Sequence, residues 1–335
     1  MKIRVFSDIH IDINQNFPFS LRGKEKDDFT LIPGDISGNV KGGARWIQQN
    51  IHNGMFIVGN HDPSYNDLGW TIQKQKEYLA EKFPVDGKVT FLDNAVGTMS
   101  KQIPDTNILV IGSTLYTDYR YADSRMKHNV EHSSFWRERA NEMGVEDLMV
   151  AANMCMASRG LNDFRWGHVE DESDDRGLKQ RLVRPTDYLK WFSKTFDEMR
   201  RLVEENPDKD IIVMTHHCPT PKCISSQYIG NDMNASYVSD LEEFMTSHPN
   251  IRAWVCGHVH SQTITTVGKE EKGQLIVCNP RGYEKHLESS TWNPNTYIDT
   301  DTWTTSTEPY ENKKLQEARD KAQEDFMKLA PFLFF

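Results

Sequence analysis

Asp8 and His10 stand two residues apart at the end of the apolar run KIRVFS, pairing a carboxylate with an imidazole near the start of the chain. On an extended strand residues i and i+2 face the same way, so the two could converge on one object if the strand continues that far. One polar strand end is ordinary solvation, but the pattern recurs. Other apolar runs end in Gly34-Asp35, in Gly59-Asn60-His61-Asp62, in His216-His217 and in Gly257-His258-Val259-His260. Asp8, His10, Asp35, Asn60, His216, His258 and His260 are seven oxygen or nitrogen donors, more than one tetrahedral ion can use. A carboxylate shared by two cations about 3.5–4 Å apart is the arrangement that clamps an in-line displacement at phosphorus. Gly34, Gly59 and Gly257 would let the backbone turn tightly and approach such ions.

These residues need elements to bring them together. Runs that read as buried strands cover 2–7, 29–34, 55–60, 107–113, 210–216 and 251–258, and helical patterns cover 44–51, 70–83, 186–205 and 239–247. That alternation predicts an α/β sheet with helical cover, whose ligands gather beyond the carboxyl ends of the strands. After His260 the pattern changes to runs expected to form antiparallel strands. Residues 114–185 break the rhythm and read as an insertion, a possible cap, within a single domain spanning 1–304. A C-terminal extension, 305–335, carries Leu315, Ala318, Ala322, Phe326 and Leu329 at helical spacing and predicts an amphipathic helix.

Composition narrows the class. The 335 residues suffice for a large core, and 37% hydrophobic with 26% charged residues predicts a soluble globular protein. No apolar run approaches the eighteen or so residues of a membrane span, and MKIRVFSD lacks a signal-peptide pattern. The five cysteines are scattered, odd in number and without a CxxC pair, so neither a disulfide framework nor a thiolate zinc site is expected. Cys218 and Cys256 read as small buried hydrophobes. A cytoplasmic location, in a bacterial or phage-infected cell, is the expectation. Lys and Arg total 39 against 49 Asp and Glu, a net charge of −10 that disfavours an extended nucleic-acid groove.

Five ordered motifs, SDIH (7–10), GDI (34–36), GNHD (59–62), THH (215–217) and GHVH (257–260), resemble those of the calcineurin-like metallophosphoesterases. IGSTLYTDY (111–119), THHCPTP (215–221) and CNPRGYE (278–284) resemble a bacterial and phage branch of that family. The resemblance implies a two-layer β-sandwich flanked by helices, with the insertion largely helical or irregular and a dinuclear site at one end of the sheets. It puts Asp8, His10 and His260 on one divalent ion, Asn60, His216 and His258 on the other, and Asp35 between them. Manganese is the first expectation, with iron, zinc, cobalt or nickel as alternatives. A hydroxide between the ions would be the nucleophile, His61 the general acid, and Asp62 its support. His217, Arg281 and Tyr283 are the candidate substrate-binding residues. One departure stands out: GDISGN has Gly38 and Asn39 where the protein phosphatases of the superfamily carry an Asp that orients the histidine and an Arg that grips phosphate.

The expected activity is therefore hydrolysis of a phosphate ester, with a small phosphodiester, cyclic or short nucleotide, ahead of a monoester. The competing readings are a phosphomonoesterase or protein phosphatase, a nuclease acting on polynucleotide, and a protein that retains metals without turnover.

Overall fold

In the run Ile211-Ile212-Val213-Met214, successive side chains enter two different cores, as the two-residue period of a strand requires. That alternation recurs throughout the computed structural model, which describes residues 1–14, 19–63, 69–122, 124–171, 179–268, 273–286 and 292–309, with five positions beyond. In chain order the strands are β1 (Lys2–Val5), β2 (Thr30–Pro33), β3 (Gly54–Ile57), β4 (Val89–Phe91), β5 (Ser100–Gln102), β6 (Ile108–Ser113), β7 (His168–Glu170), β8 (Gln180–Leu182), β9 (Asp210–Thr215), β10 (Ile251–Cys256), β11 (Thr263–Val267), β12 (Gln274–Cys278), β13 (Thr296–Asp299) and β14 (Thr304–Thr307). The helices are α1 (Val40–Asn50), α2 (Ile72–Lys82), α3 (Ser124–Glu131), α4 (Ser134–Met143), α5 (Leu148–Gly160), α6 (Asp163–Trp166), α7 (Pro185–Glu204) and α8 (Glu242–Ser247).

Two six-stranded sheets result, in the orders β14-β13-β1-β2-β3-β4 and β11-β12-β10-β9-β6-β5. Ile3, Val5, Leu31, Ile57, Val110, Ile212, Val255 and Val277 fill the space between them. On the outside of the first sheet, Phe6, Ile32 and Phe56 pack under Val40, Ala44 and Ile47 of α1 and Leu79 of α2. On the outside of the second, Val213, Trp254 and Ile276 pack under Phe192, Met199 and Val203 of α7. This is the predicted two-layer sandwich with helical cover. Strands β1 to β4 are parallel, as are β6, β9, β10 and β12, so five carboxyl ends deliver the polar motifs to one edge.

Three features depart from expectation. β12 pairs parallel with β10, although β11, β13 and β14 do pair antiparallel with their neighbours. β4 and β5 have three residues each, too few to show a period in sequence. Within 114–185, helices α3 to α6 are joined by a small antiparallel hairpin, β7 with β8. The residues that predicted the C-terminal helix, Leu315, Ala318, Ala322, Phe326 and Leu329, lie outside the described residues, while Glu317, Asp320, Lys321, Glu324 and Lys328 are helical and exposed. Among the described residues no helix is long and apolar enough to cross a membrane.

Candidate metal centre

Strand β1 stops at Val5, so Asp8 and His10 do not sit on a continuing strand. They converge because both adopt left-handed backbone, with φ of 52° and 47°. Asp35 (54°), His258 (69°) and His260 (47°) do the same. Asp and His tolerate this region better than most residues, and such clusters mark functional sites. The turns bring ligand atoms of Asp8, His10, Asp35 and His260 within 4.8 Å of one another, and those of Asp35, His216 and His258 likewise. Asp35 belongs to both groups, which is the geometry of a bridging carboxylate.

The hydrogen bonds around these atoms fit cations. His216 Nδ1 lies 2.8 Å from the carbonyl of Pro33, which can only accept, so Nδ1 carries the proton and Nε2 is the atom left to face a cation. Nε2 is buried 3.2 Å from Asp35 Oδ2 without a hydrogen bond to it, and His258 Nε2 is likewise buried without a partner. Orphaned buried nitrogens are costly unless something absent from the chain completes them. Nε2 of His10 and Nε2 of His260 face each other at 3.0 Å. Asn60 donates its amide to both oxygens of Asp163 at 3.0 Å, fixing the amide so that Oδ1 points the other way. Burial pulls His10 and His258 well below the ordinary imidazole range despite the charge of Asp35. Burial also lowers His216, but the charge and proximity of Asp35 outweigh it and push the ring up to about 9.

The glycines matter for space as well as turning. A Cβ on Gly59 would stand 2.0 Å from Asp35 Oδ1, and one on Gly257 2.5 Å from Asp8 Oδ2. Asp8 in turn accepts from the backbone N–H of His258 at 3.0 Å and from the Ser7 hydroxyl.

Asp62, expected to support His61, is committed elsewhere. Its carboxylate accepts from four backbone N–H groups, those of Asp35 (2.8 Å), Ile36 (2.8 Å), Ser37 (2.9 Å) and Gly59 (2.8 Å). It staples the loop after β2 to the loop after β3 and positions Asp35. An amide has only one acceptor oxygen, so Asp62→Asn is expected to cost about 2–4 kcal/mol of stability and to weaken metal retention. Chemical denaturation and metal analysis check both; unchanged values would remove the stapling role.

The partner of His61 is Asp12, a residue that sequence reasoning missed although it lies in the same SDIHID segment. His61 Nε2 lies 3.0 Å from Asp12 Oδ2, and its ring packs edge-on to His10 with centroids 4.7 Å apart. Burial lowers His61, yet Asp12 and Asp35 raise it above the ordinary range; burial raises Asp12, yet His61 brings it below its own. Asp12 thus fills the place left open by Gly38. Asn39 caps α1, accepting from the N–H of Gly42 at 2.9 Å.

A cavity of about 480 Å³ opens beside the centre, with Asp35, Asn60, His61, His258, His260 and Tyr283 on one wall. Tyr283, one of the three substrate candidates, packs against His10 and His260 at 4.7 and 4.6 Å. The other two are placed differently. His217 is buried behind His258, their rings 4.2 Å apart, and is not among the lining residues. Burial drives its pKa down to about 3, which keeps that ring neutral. Arg281 is buried too; it donates to Glu284 at 3.1 Å and lies over Phe19 and Trp292, so it braces the loop instead of facing the cavity. The far wall comes from Leu161, Asn162 and Asp163, and from a stretch not anticipated, including Ser225, Gln227, Tyr228, Asn231 and Tyr237.

Two mixed sheets whose parallel strands end in a carboxylate set between two groups of histidines have the layout of a metal-dependent phosphoesterase. The sequence matches the model of the calcineurin-like phosphoesterase family over residues 1–262, and the chain belongs to that family. Membership implies a dinuclear divalent-metal site, and the donor atoms above fit one. No curated protein was found to match the sequence. Among solved structures, the phosphopantetheinyl hydrolase of Mycobacterium tuberculosis shares the fold with a TM-score of 0.52 at 12% identity, over 84% of this chain and 89% of that one. A dimetal phosphatase from Danio rerio aligns with a TM-score of 0.41 at 13% identity, over 88% of this chain and 90% of that one.

Proposed function

We propose that this phosphoesterase hydrolyses small phosphodiesters, nucleotide-like in size. Asp8, His10 and His260 hold one divalent cation, Asn60, His216 and His258 a second, and Asp35 spans the two, with manganese the first ion to supply. Such a pair, when bound, contributes Lewis-acid charge and activates water near neutral pH.

The observation that carries the diester reading is the cavity wall: among the described residues, none that line it is Lys or Arg. A monoester presents a dianion and gains from extra cationic groups, whereas a diester carries one charge and needs room for a second substituent. Tyr228, Tyr237 and Tyr283 with Asn162, Gln227 and Asn231 offer stacking faces and neutral hydrogen-bonding groups for such a substituent. His61 supplies the proton to the leaving oxygen. The Asp12 carboxylate accepts from Nε2–H and holds the ring in place. Leu161, Asn162 and Asp163 support a cap role for 114–185, and Asp163 extends it to the metal centre by orienting Asn60.

The test compares kcat/KM for bis(4-nitrophenyl) phosphate and 4-nitrophenyl phosphate in the manganese-loaded protein. The diester is expected to be preferred, and a strong preference for the monoester would overturn the reading.

A further inference from the structure

Four of the five cysteines meet on the outer face of the second sheet, although they come from four separate segments. Cys256 and Cys278 end the parallel neighbours β10 and β12 and are register partners. Cys218 follows β9, and Cys223 ends the short 3-10 helix Pro221–Cys223. All four are buried, at 1% exposure or less, and carry free thiols. The Sγ atoms of Cys218, Cys223 and Cys256 lie within 4.8 Å of one another. Cys218 and Cys278 both direct their sulfur at one carbonyl, that of Gly257, at 3.2 and 3.6 Å. Core packing asks here only for small apolar side chains, which Ala or Val also supply, and gives no reason for cysteines from four segments to meet.

We propose that Cys218, Cys223 and Cys256, with Cys278 as the fourth ligand, form a closed thiolate site for zinc. A tetrahedral ion with Zn–S of about 2.3 Å sets its sulfurs about 3.8 Å apart, so the three need draw together by about 1 Å, and Cys278, which lies outside that 4.8 Å group, by more. Thiolates are softer donors than the carboxylates and imidazoles on the other side of Gly257, so the two sites differ in ligand chemistry. Binding is an exchange of protons for the cation: each ligating S–H gives its proton to buffer and no electron moves. The ion ties together the ends of β9, β10 and β12. Since His216 lies two residues before Cys218 and His258 two after Cys256, its role is to hold those ligand-bearing turns, whatever substrate the cavity takes.

Cobalt titration of the full-length, metal-stripped, reduced protein tests this. One equivalent is expected to give sulfur-to-cobalt charge-transfer absorption in the near ultraviolet with intense tetrahedral visible bands, and zinc should bleach both. In the Cys223→Ser/Cys256→Ser variant that signal should vanish while the weak bands of the oxygen and nitrogen sites persist. Wild-type protein that takes up cobalt with no sulfur band overturns the proposal, as does a full-strength band in the double variant. Should the variant not fold, the wild-type titration decides alone.

Discussion

Asp35→Asn is expected to lose both cations and, with them, turnover of any phosphate ester. Its Oδ2 lies 3.2 Å from His216 Nε2 and 3.8 Å from His10 Nε2, one ligand from each donor group. Its Oδ1 accepts from the backbone N–H of His61 at 2.9 Å, so the same carboxylate also positions the proposed acid. Partners that merely orient a ligand already cost about 10–100-fold in affinity or activity, and a shared ligand should exceed that range. Metal analysis after gel filtration, beside a chromogenic assay, reads both effects. Two ions retained at full activity would eliminate the bridging assignment.

The second large effect belongs to His61→Ala, expected to keep both ions and the fold while slowing turnover by about 10²–10⁴-fold, the range for a lost general acid. The comparison also resolves an ambiguity of the site, because His10, Asp12 and His61 form a third group with donor atoms within 4.8 Å. That group shares His10 with the first donor set, and a His61→Ala variant that lost metal would make His61 a ligand. Asp12→Asn, which keeps the hydrogen-bonding shape but removes the charge behind the imidazole, should fall between wild type and His61→Ala. Its loss should shrink with substrates whose leaving group needs no proton, such as 4-nitrophenolate esters.

The candidate donors were legible in the sequence because each follows a strand, and strands announce themselves by short apolar runs. What brings the donors together was not. Asp8 and His10 were expected to share a face of an extended strand, whereas the chain leaves the strand and turns left-handed at both residues. Asp12 escaped notice because its partner His61 is 49 residues away, and no local spacing signals that pairing. Arg281 and His217 illustrate the converse. Each has the right chemistry and a suggestive motif, and each is buried against other side chains, with His217 against the His258 ring and Arg281 against Glu284. The far wall of the cavity, around Ser225 to Tyr237, is built of short turns that carry no periodic signal. The cysteines were read singly, and only the register of β10 beside β12 makes neighbours of two of them.

The left-handed turns also decide how this centre could be re-engineered or drift in evolution. At Asp8, His10, Asp35, His258 and His260 a proposed ligand also adopts a positive φ, so the usable alphabet is narrowed twice. Glycine suits the backbone there but donates nothing, whereas glutamate or cysteine donates but sits poorly. Among the described residues Asn60 and His216 are not in that conformation, and both belong to the second donor group. Libraries aimed at a new metal preference should therefore vary these two positions first, leaving the five turns as fixed scaffold.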